Sequence, residues 1–230
     1  MTGRRLLTIT GVAPLGVFLA EHLLASASAM GGSARFDAVV GAMARSPIAM
    51  FVELVLVLVP LLVHGAVGLS LTLKPEPDHS YASDRAYKAQ RIAGLVALVF
   101  IVAHLFELRL RRLFGGLAVA SLYTKLSEDL SWTWAGVPWV ALGYVVGIAA
   151  TVFHFGNGLW AFFAARGSQP SRSMTNLLLA LGGALFLVGT ATTISVATGT
   201  RLLPAAEGGK SVRCGPDTVP SAAPPTASSR

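Results

Sequence analysis

The stretch TVFHFGNGLWAFF, residues 151–163, decides the fold because it places a histidine in the middle of a long apolar run. Asn157 and Gly158 follow His154 by three and four positions, so all three residues share one face of a helix. An imidazole beside two compact residues leaves room on that face for a flat, bulky ligand. The pattern therefore predicts an apolar helix that holds a ligand through His154.

The composition of the 230-residue chain is that of an integral membrane protein. Hydrophobic residues make up 53% of it and charged residues only 13%, and about 20 consecutive apolar residues cross a bilayer as a helix. The basic residues behind the net charge of +7 are scattered over loops and helix ends. We therefore expect lipid headgroups or a cofactor as their partners, and no nucleic acid.

The single cysteine, Cys214, lies in the C-terminal segment. One cysteine excludes an intramolecular disulfide, and it also excludes an iron–sulfur cluster held by cysteines within this chain.

Five apolar segments predict an all-α transmembrane bundle of five helices. These spans cover residues 6–30, 48–73, 91–113, 134–165 and 174–198. The connection 115–133 suits an interfacial helix, and the segment 201–230 is rich in Pro, Ala, Ser, Gly and Thr, which predicts a disordered tail. The distribution of basic residues leans slightly toward a cytoplasmic N-terminus.

The first segment also has features of a signal peptide. Small residues at Ala25, Ala27 and Ala29 resemble a cleavage site. Glu21 and His22 interrupt the apolar run, however, and nothing downstream resembles an exported soluble domain. We interpret the segment as a membrane span.

The first four spans each carry one histidine, at positions His22, His64, His104 and His154. Ionisable groups inside a membrane are rare and usually functional, although a lone histidine there more often bonds a neighbouring helix than binds a ligand. Each of the four lies in the C-terminal half of its helix, and successive spans run in opposite directions. His22 and His104 therefore lie toward one membrane face, and His64 and His154 toward the other.

Two imidazole pairs stacked across a bilayer suit two bis-histidine haems. Zinc instead prefers tightly clustered tetrahedral ligands, usually with cysteine or carboxylate present. Haem propionates need cationic partners near the membrane surface, for which Arg91, Arg109 and Arg111 are candidates. Interfacial snorkelling is the alternative reading of these arginines.

Glu53 and Glu107 are carboxylates within apolar surroundings. Each has two functional readings: a hydrogen bond to the free N–H of a haem ligand, or proton exchange at a quinone site. Glu107 lies near a helix end with Arg109 two residues later, so a surface ion pair is an equally good reading of that residue.

Four stretches of the chain resemble the five-helix, dihaem cytochrome b subunit of succinate:menaquinone oxidoreductases and quinol:fumarate reductases. The likeness is greatest to the cytochrome b558 type found with succinate dehydrogenase in Gram-positive bacteria. The stretches are APLGVFLAEHLL around His22, FVELVLVLVPLLVHGAVGL around His64, QRIAG with HLFELR around His104, and TVFHFGNGLWAF around His154. Together they cover most of residues 6–165.

The resemblance implies a membrane anchor of complex II in a bacterial cytoplasmic membrane. Two b-type haems would relay electrons between an iron–sulfur subunit, itself bound to a flavoprotein subunit, and menaquinone. His64 and His154 would ligate the proximal, high-potential haem, and His22 and His104 the distal, low-potential haem. Both directions, succinate oxidation and fumarate reduction, fit the sequence, as does a higher oligomer of the complex.

The resemblance also implies a menaquinone site beside the distal haem. Glu53, Glu107 and Arg109 would contribute to it. Two other functions stay open at this point: a dihaem cytochrome b of another quinone-linked dehydrogenase, and a haem-free transporter or proton channel with membrane histidines.

Overall fold

The computed structural model describes residues 3–73, 81–167 and 169–205 of the chain. Within these ranges the secondary structure is helical, apart from one isolated bridge between Trp134 and Val137. Five of the helices are long and apolar enough to cross a membrane: Leu6–Gly31, Pro47–Thr72, Asp84–Leu113, Trp139–Ala164 and Arg172–Thr198. The predicted all-α fold with five spans is confirmed.

Two spans begin elsewhere than the sequence predicts. The third begins at Asp84 rather than at residue 91, because the Ser83 side chain accepts a hydrogen bond of 3.1 Å from the Ala86 N–H and caps a charged extra turn. The fourth begins at Trp139 rather than at residue 134, since Ala135 and Gly136 adopt positive φ angles of 52° and 75° in a tight turn. Both differences come from local turn chemistry that hydropathy does not report.

Widened π-helical turns interrupt the first, second and third spans, at Gly11–Leu15, Leu54–Leu58 and Leu105–Leu110. Proline accounts for the first two, because Pro14 and Pro60 lack the N–H that would close a regular turn. The turn at Leu105–Leu110 contains no proline and directly follows His104. Such turns are frequent at functional sites.

The spans form two layers, and the boundary between them, where backbone contacts are few, is called the slot below. The first span packs along the second, and the third packs extensively along the fourth. By contrast, contact is sparse between the second and third spans and between the first and fourth. The fifth span covers one side, where it touches the fourth span and the end of the first.

One end of the bundle, the capped end, is where the first, third and fifth spans finish. The helix Leu122–Ser131 lies across it, as expected for the 115–133 connection. An apolar cluster joins that helix to the span ends, and consists of Ala29, Phe36, Leu122, Leu130, Ala141 and Val196. The opposite end, where the second and fourth spans finish, is called the open end below.

The beginning of the C-terminal segment is attached to the capped end. The backbone N–H groups of Leu202 and Leu203 donate to the Met30 carbonyl at 3.0 and 3.1 Å. Arg35 also donates to the Pro204 carbonyl at 3.1 Å. The prediction of a disordered tail falls mainly on residues 206–230, which lie outside the described residues.

Close packing of the third and fourth spans depends on Gly147. A Cβ added there would overlap the ring of Phe100, whereas a Cβ at Gly143, one turn away, would meet nothing within 4 Å. We expect Gly147→Leu to lower the unfolding free energy by about 1–3 kcal/mol, the usual cost of overpacking. Thermal unfolding of the purified chain in detergent measures the effect.

Gly143→Leu is the matched control, since it makes the same substitution in the same helix. It should leave the melting temperature close to that of the wild-type chain. Equal melting temperatures for the two variants would contradict the packing described for the third and fourth spans.

Candidate cofactor-binding site between the helices

The four intramembrane histidines form two pairs across the slot. The ring centroids of His22 and His104 are 5.8 Å apart, with the ring planes at 85°. Those of His64 and His154 are 6.0 Å apart, with the planes at 89°. The first pair joins the first and third spans near the capped end, and the second pair joins the second and fourth spans toward the open end. This is the pairing that the alternating span directions predict.

Backbone carbonyls fix both rings of the His64–His154 pair. His64 Nδ1 lies 3.2 Å from the Leu7 carbonyl oxygen and 3.3 Å from Thr10 Oγ1. His154 Nδ1 lies 3.1 Å from the Gln90 carbonyl oxygen. A carbonyl only accepts, so each Nδ1 carries the proton and each Nε2 keeps a free lone pair. Both imidazoles are thereby held in the tautomer that binds a metal through Nε2.

Different groups hold the His22–His104 pair. His104 Nδ1 lies 3.2 Å from the Tyr144 hydroxyl, and its ring packs beside Phe100 with centroids 5.7 Å apart. His22 stacks on Phe18 with a centroid distance of 5.1 Å. Among the described residues, His22 has these ring contacts but no hydrogen bond.

The spacing of each pair fits one metal ion held between two imidazoles. A metal-bound imidazole nitrogen lies about 2 Å from the ion, so rings on opposite sides of it have centroids roughly 6 Å apart. The described residues contain no group of three or more His, Cys, Asp or Glu that could hold a metal ion. Two axial imidazoles with the remaining positions left to a porphyrin are the donor set of a low-spin b-type haem.

Two glycines allow the imidazoles to lie directly against a neighbouring backbone. A Cβ at Gly11 would come within 2.6 Å of His64 Cε1, and a Cβ at Gly94 within 2.8 Å of His154 Cε1. Sequence analysis did not single out either glycine. The clue for Gly94 was its place in QRIAG, one turn after Gln90, but a partner on another helix is invisible in a single sequence.

Gln90 and Asn157 form a group of hydrogen bonds beside His154, called the clasp below. The side chain of Gln90 is buried, with 7% of its surface exposed. Its Nε2 donates to the His154 carbonyl at 2.9 Å, and its Oε1 accepts from Asn157 Nδ2 at 3.0 Å. Asn157 also donates to the Ala86 carbonyl at 3.1 Å. The clasp therefore fixes the third span against the fourth at the level of His154.

Asn157 and Gly158 were predicted to leave room for a cofactor. The structure places both beside Gln90: Asn157 Nδ2 donates to Gln90 Oε1 at 3.0 Å, and a Cβ at Gly158 would lie 3.2 Å from Gln90 Nε2. Their compactness serves helix packing around the clasp. Their placement beside a bound cofactor stays a prediction.

Glu53 and Arg109 pair with one another inside the capped half of the bundle. Arg109 Nε lies 2.8 Å from Glu53 Oε1, with side chains 10% and 29% exposed, although the N–H is not aligned for a hydrogen bond. A buried charge needs such a partner, because desolvation of an unpaired one is costly. Two members of the predicted quinone trio are thus in contact.

Glu107 belongs to a different network at the surface. It accepts from Arg111 at 2.8 Å, lies 3.5 Å from Lys125 Nζ, and has 41% of its side chain exposed. Glu107 thus forms surface ion pairs with Arg111 and Lys125 rather than with Arg109. Neither Glu53 nor Glu107 forms a hydrogen bond with a histidine in the described residues.

Arg91 lies toward the open end, where its guanidinium donates to the Thr72 carbonyl and sits 5.6 Å from the Tyr87 ring centroid. It therefore joins the end of the second span to the third span. Arg111, the other outlying candidate for a propionate partner, is engaged with Glu107.

A shallow, open apolar crevice of about 600 Å³ lies on the exposed face of the third span and is lined by that span alone. Its lining consists of Leu98, Val99, Val102, Ala103, Phe106 and Glu107. The crevice thus combines an aliphatic wall, one aromatic ring and one carboxylate at the level of the His22–His104 pair.

The fold and the site define an all-α membrane protein with two partly buried imidazole pairs, each spaced for one metal ion. The chain is 28% identical over 193 residues to the succinate dehydrogenase cytochrome b558 subunit of Bacillus subtilis (strain 168). The matched region covers 81% of this chain and 92% of that protein. This likeness confirms the predicted resemblance to the succinate dehydrogenase cytochrome b558 family. No protein-family model matches the chain. No solved structure matches it.

The clasp predicts an energetic coupling between Gln90 and Asn157. Gln90→Leu and Asn157→Leu each break the same side-chain hydrogen bond. The loss of unfolding free energy in the double variant should therefore be smaller than the sum of the losses in the two single variants. Coupling across membrane helices averages about 0.6 kcal/mol and reaches about 1.7 kcal/mol. Unfolding free energies of the four chains in detergent give the value.

The four chains (wild type, two single variants and the double variant) make up a double-mutant cycle, and a second such cycle serves as the control. It combines Gln90→Leu with Asn176→Leu, since Asn176 lies exposed on the fifth span and forms no bond with Gln90. Additive effects in both cycles would contradict the clasp.

Proposed function

We propose that the chain binds two b-type haems and relays electrons between the iron–sulfur subunit of a succinate dehydrogenase and menaquinone. The observation that carries this proposal is the pair of imidazole bridges, 5.8 and 6.0 Å between centroids, at two levels of one membrane bundle. The likeness to a succinate dehydrogenase cytochrome b558 subunit supports the assignment to that complex.

His64 and His154 would hold one haem, and His22 and His104 the other. Each haem supplies one-electron redox chemistry when bound. The chain's own residues orient the imidazoles, since the Leu7 and Gln90 carbonyls accept from the Nδ1–H groups of His64 and His154. The fourth span gives the separation of the two sites, because it carries His154 and also Tyr144, which contacts His104. These two residues are ten positions apart, so at ~1.5 Å per residue the sites would lie about 15 Å apart along the bundle.

The iron–sulfur and flavoprotein subunits would dock on the open end of the bundle. This end, where the N-terminus also lies, would face the cytoplasm. Among the described residues, that end carries the cations Arg85, Lys88, Arg91, Arg166 and Arg172, with Asp84 as the acidic residue. A basic surface of this kind favours an acidic partner. The His64–His154 site is the nearer of the two to this end, so it would be the proximal one.

Menaquinone would bind in the crevice beside His104. The aliphatic wall formed by Leu98, Val99 and Val102 suits an isoprenoid tail, and Phe106 suits a quinone ring. Glu107 at the edge of the crevice would exchange the protons that quinone chemistry needs. Glu53 and Arg109 would stabilise charge behind it through their ion pair.

The haem assignment predicts a stoichiometry that changes with single histidines. The wild-type chain should purify with two b-type haems. His154→Leu should retain one haem, because only the His64–His154 pair loses a ligand. Haem per chain is measured from the absorbance of its pyridine complex against protein concentration.

His79→Leu is the control for the haem count, since the fifth histidine lies outside the predicted spans and should not alter it. A His154→Leu chain that still carries two haems would contradict the ligand assignment. A folded wild-type chain without haem would contradict the proposed function.

The quinone site predicts that filling the crevice slows electron exchange with quinol and leaves the haems in place. Ala103→Phe should reduce the rate of haem reduction by a menaquinol analogue about tenfold or more, the loss that ~1.4 kcal/mol of binding energy produces. Stopped-flow absorbance of the purified chain measures the rate. Haem content should equal that of the wild-type chain.

Ala184→Phe is the matched control, because Ala184 lies exposed on the fifth span away from the crevice. It should reduce at the wild-type rate. If Ala103→Phe also reduces at that rate, menaquinone does not bind in the crevice.

A further inference from the structure

The two imidazole pairs differ in what their outer ring nitrogens contact. In the His64–His154 pair, both Nδ1 atoms face backbone carbonyls, which no side-chain substitution removes, and Thr10 Oγ1 also lies 3.3 Å from His64 Nδ1. In the His22–His104 pair, the one hydrogen bond that the described residues form is between His104 Nδ1 and the Tyr144 hydroxyl at 3.2 Å. A single phenol therefore stands where the other site has two peptide groups.

We propose that Tyr144 is a positioning residue that fixes the ring of His104 and sets the redox potential of the haem at the His22–His104 site alone. The inference rests on the proposed function, since it concerns how this chain's residues act on a haem ligand. It adds a residue that sequence analysis did not select.

The chemistry follows from the roles of the two ring nitrogens. A haem iron would bind His104 through Nε2, because Nδ1 contacts Tyr144; Nδ1 would then keep its proton and donate it to the Tyr144 oxygen. An acceptor on Nδ1–H makes the imidazole a stronger electron donor and favours the more positively charged ferric state. Removing the acceptor weakens that donation, so the midpoint potential rises.

Tyr144 is well held for this role. Its ring meets the rings of Phe100 and His104 edge to face, with centroids 5.3 and 5.7 Å away. Phe100 in turn lies over Gly147 on the same helix as Tyr144. Tyr144 also packs against the apolar cluster of the capped end. These ring contacts position the Tyr144 hydroxyl next to His104 and do not depend on the hydrogen bond.

The test is Tyr144→Phe in the full-length chain, because it removes the hydroxyl and keeps the ring. Tyr123→Phe is the matched control, since Tyr123 packs against Phe36 at the same end and does not contact a histidine. Potentiometric titration followed by visible absorbance gives the midpoint potential of each haem. This readout does not depend on catalytic turnover.

In Tyr144→Phe, one haem should titrate at a higher potential and the other at its wild-type potential, and Tyr123→Phe should change neither. The same shift should persist in a His64→Leu chain, which keeps only the His22–His104 site. If Tyr144→Phe instead loses haem, loss of one with retention of the other supports the role in fixing His104.

Three results would overturn the role of Tyr144. They are equal shifts of both haems, no shift of either in a chain with two haems, and a shift that disappears in the His64→Leu chain. A folded wild-type chain without haem is a distinct result, because it overturns the proposed function together with this inference.

Discussion

Four imidazoles placed in a low-dielectric bundle are the constraint on which the rest of the structure depends. A buried polar group needs a partner, because lipid supplies none. His64 and His154 meet this need with the carbonyls of Leu7 and Gln90, and His104 meets it with Tyr144. Each bond ties a histidine to a helix other than its own, so the polar contacts set how the spans pack.

The histidine pairs connect the first span with the third and the second span with the fourth, and this pairing accompanies the layered arrangement of the helices. Neighbouring spans pack tightly within each layer, whereas contact across the slot is sparse apart from the fifth span. Small residues at Gly11, Gly94 and Gly147 bring aromatic and imidazole rings against backbone. Among the ion pairs of the described residues, Glu53–Arg109 has the least exposed side chains.

Much of this arrangement is visible in the sequence. Hydropathy gives five spans, and one histidine on each of four antiparallel helices gives the two pairs. What the sequence does not give is which helix faces which. Gln90 resembles a loop residue because it follows a charged stretch, yet it is buried. Tyr144 has no neighbour in sequence that marks it, and the partner of Arg109 is 56 positions earlier in the chain, at Glu53.

The ring geometry gives the most direct measurement of the central claim, that each imidazole pair holds one haem iron. Axial imidazole planes near a right angle, as the 85° and 89° angles here are, give low-spin ferric haem a strongly anisotropic electron paramagnetic resonance spectrum. The oxidised full-length chain in mild detergent should show two such signals of equal spin concentration. A single signal, or none from folded protein, would contradict the account.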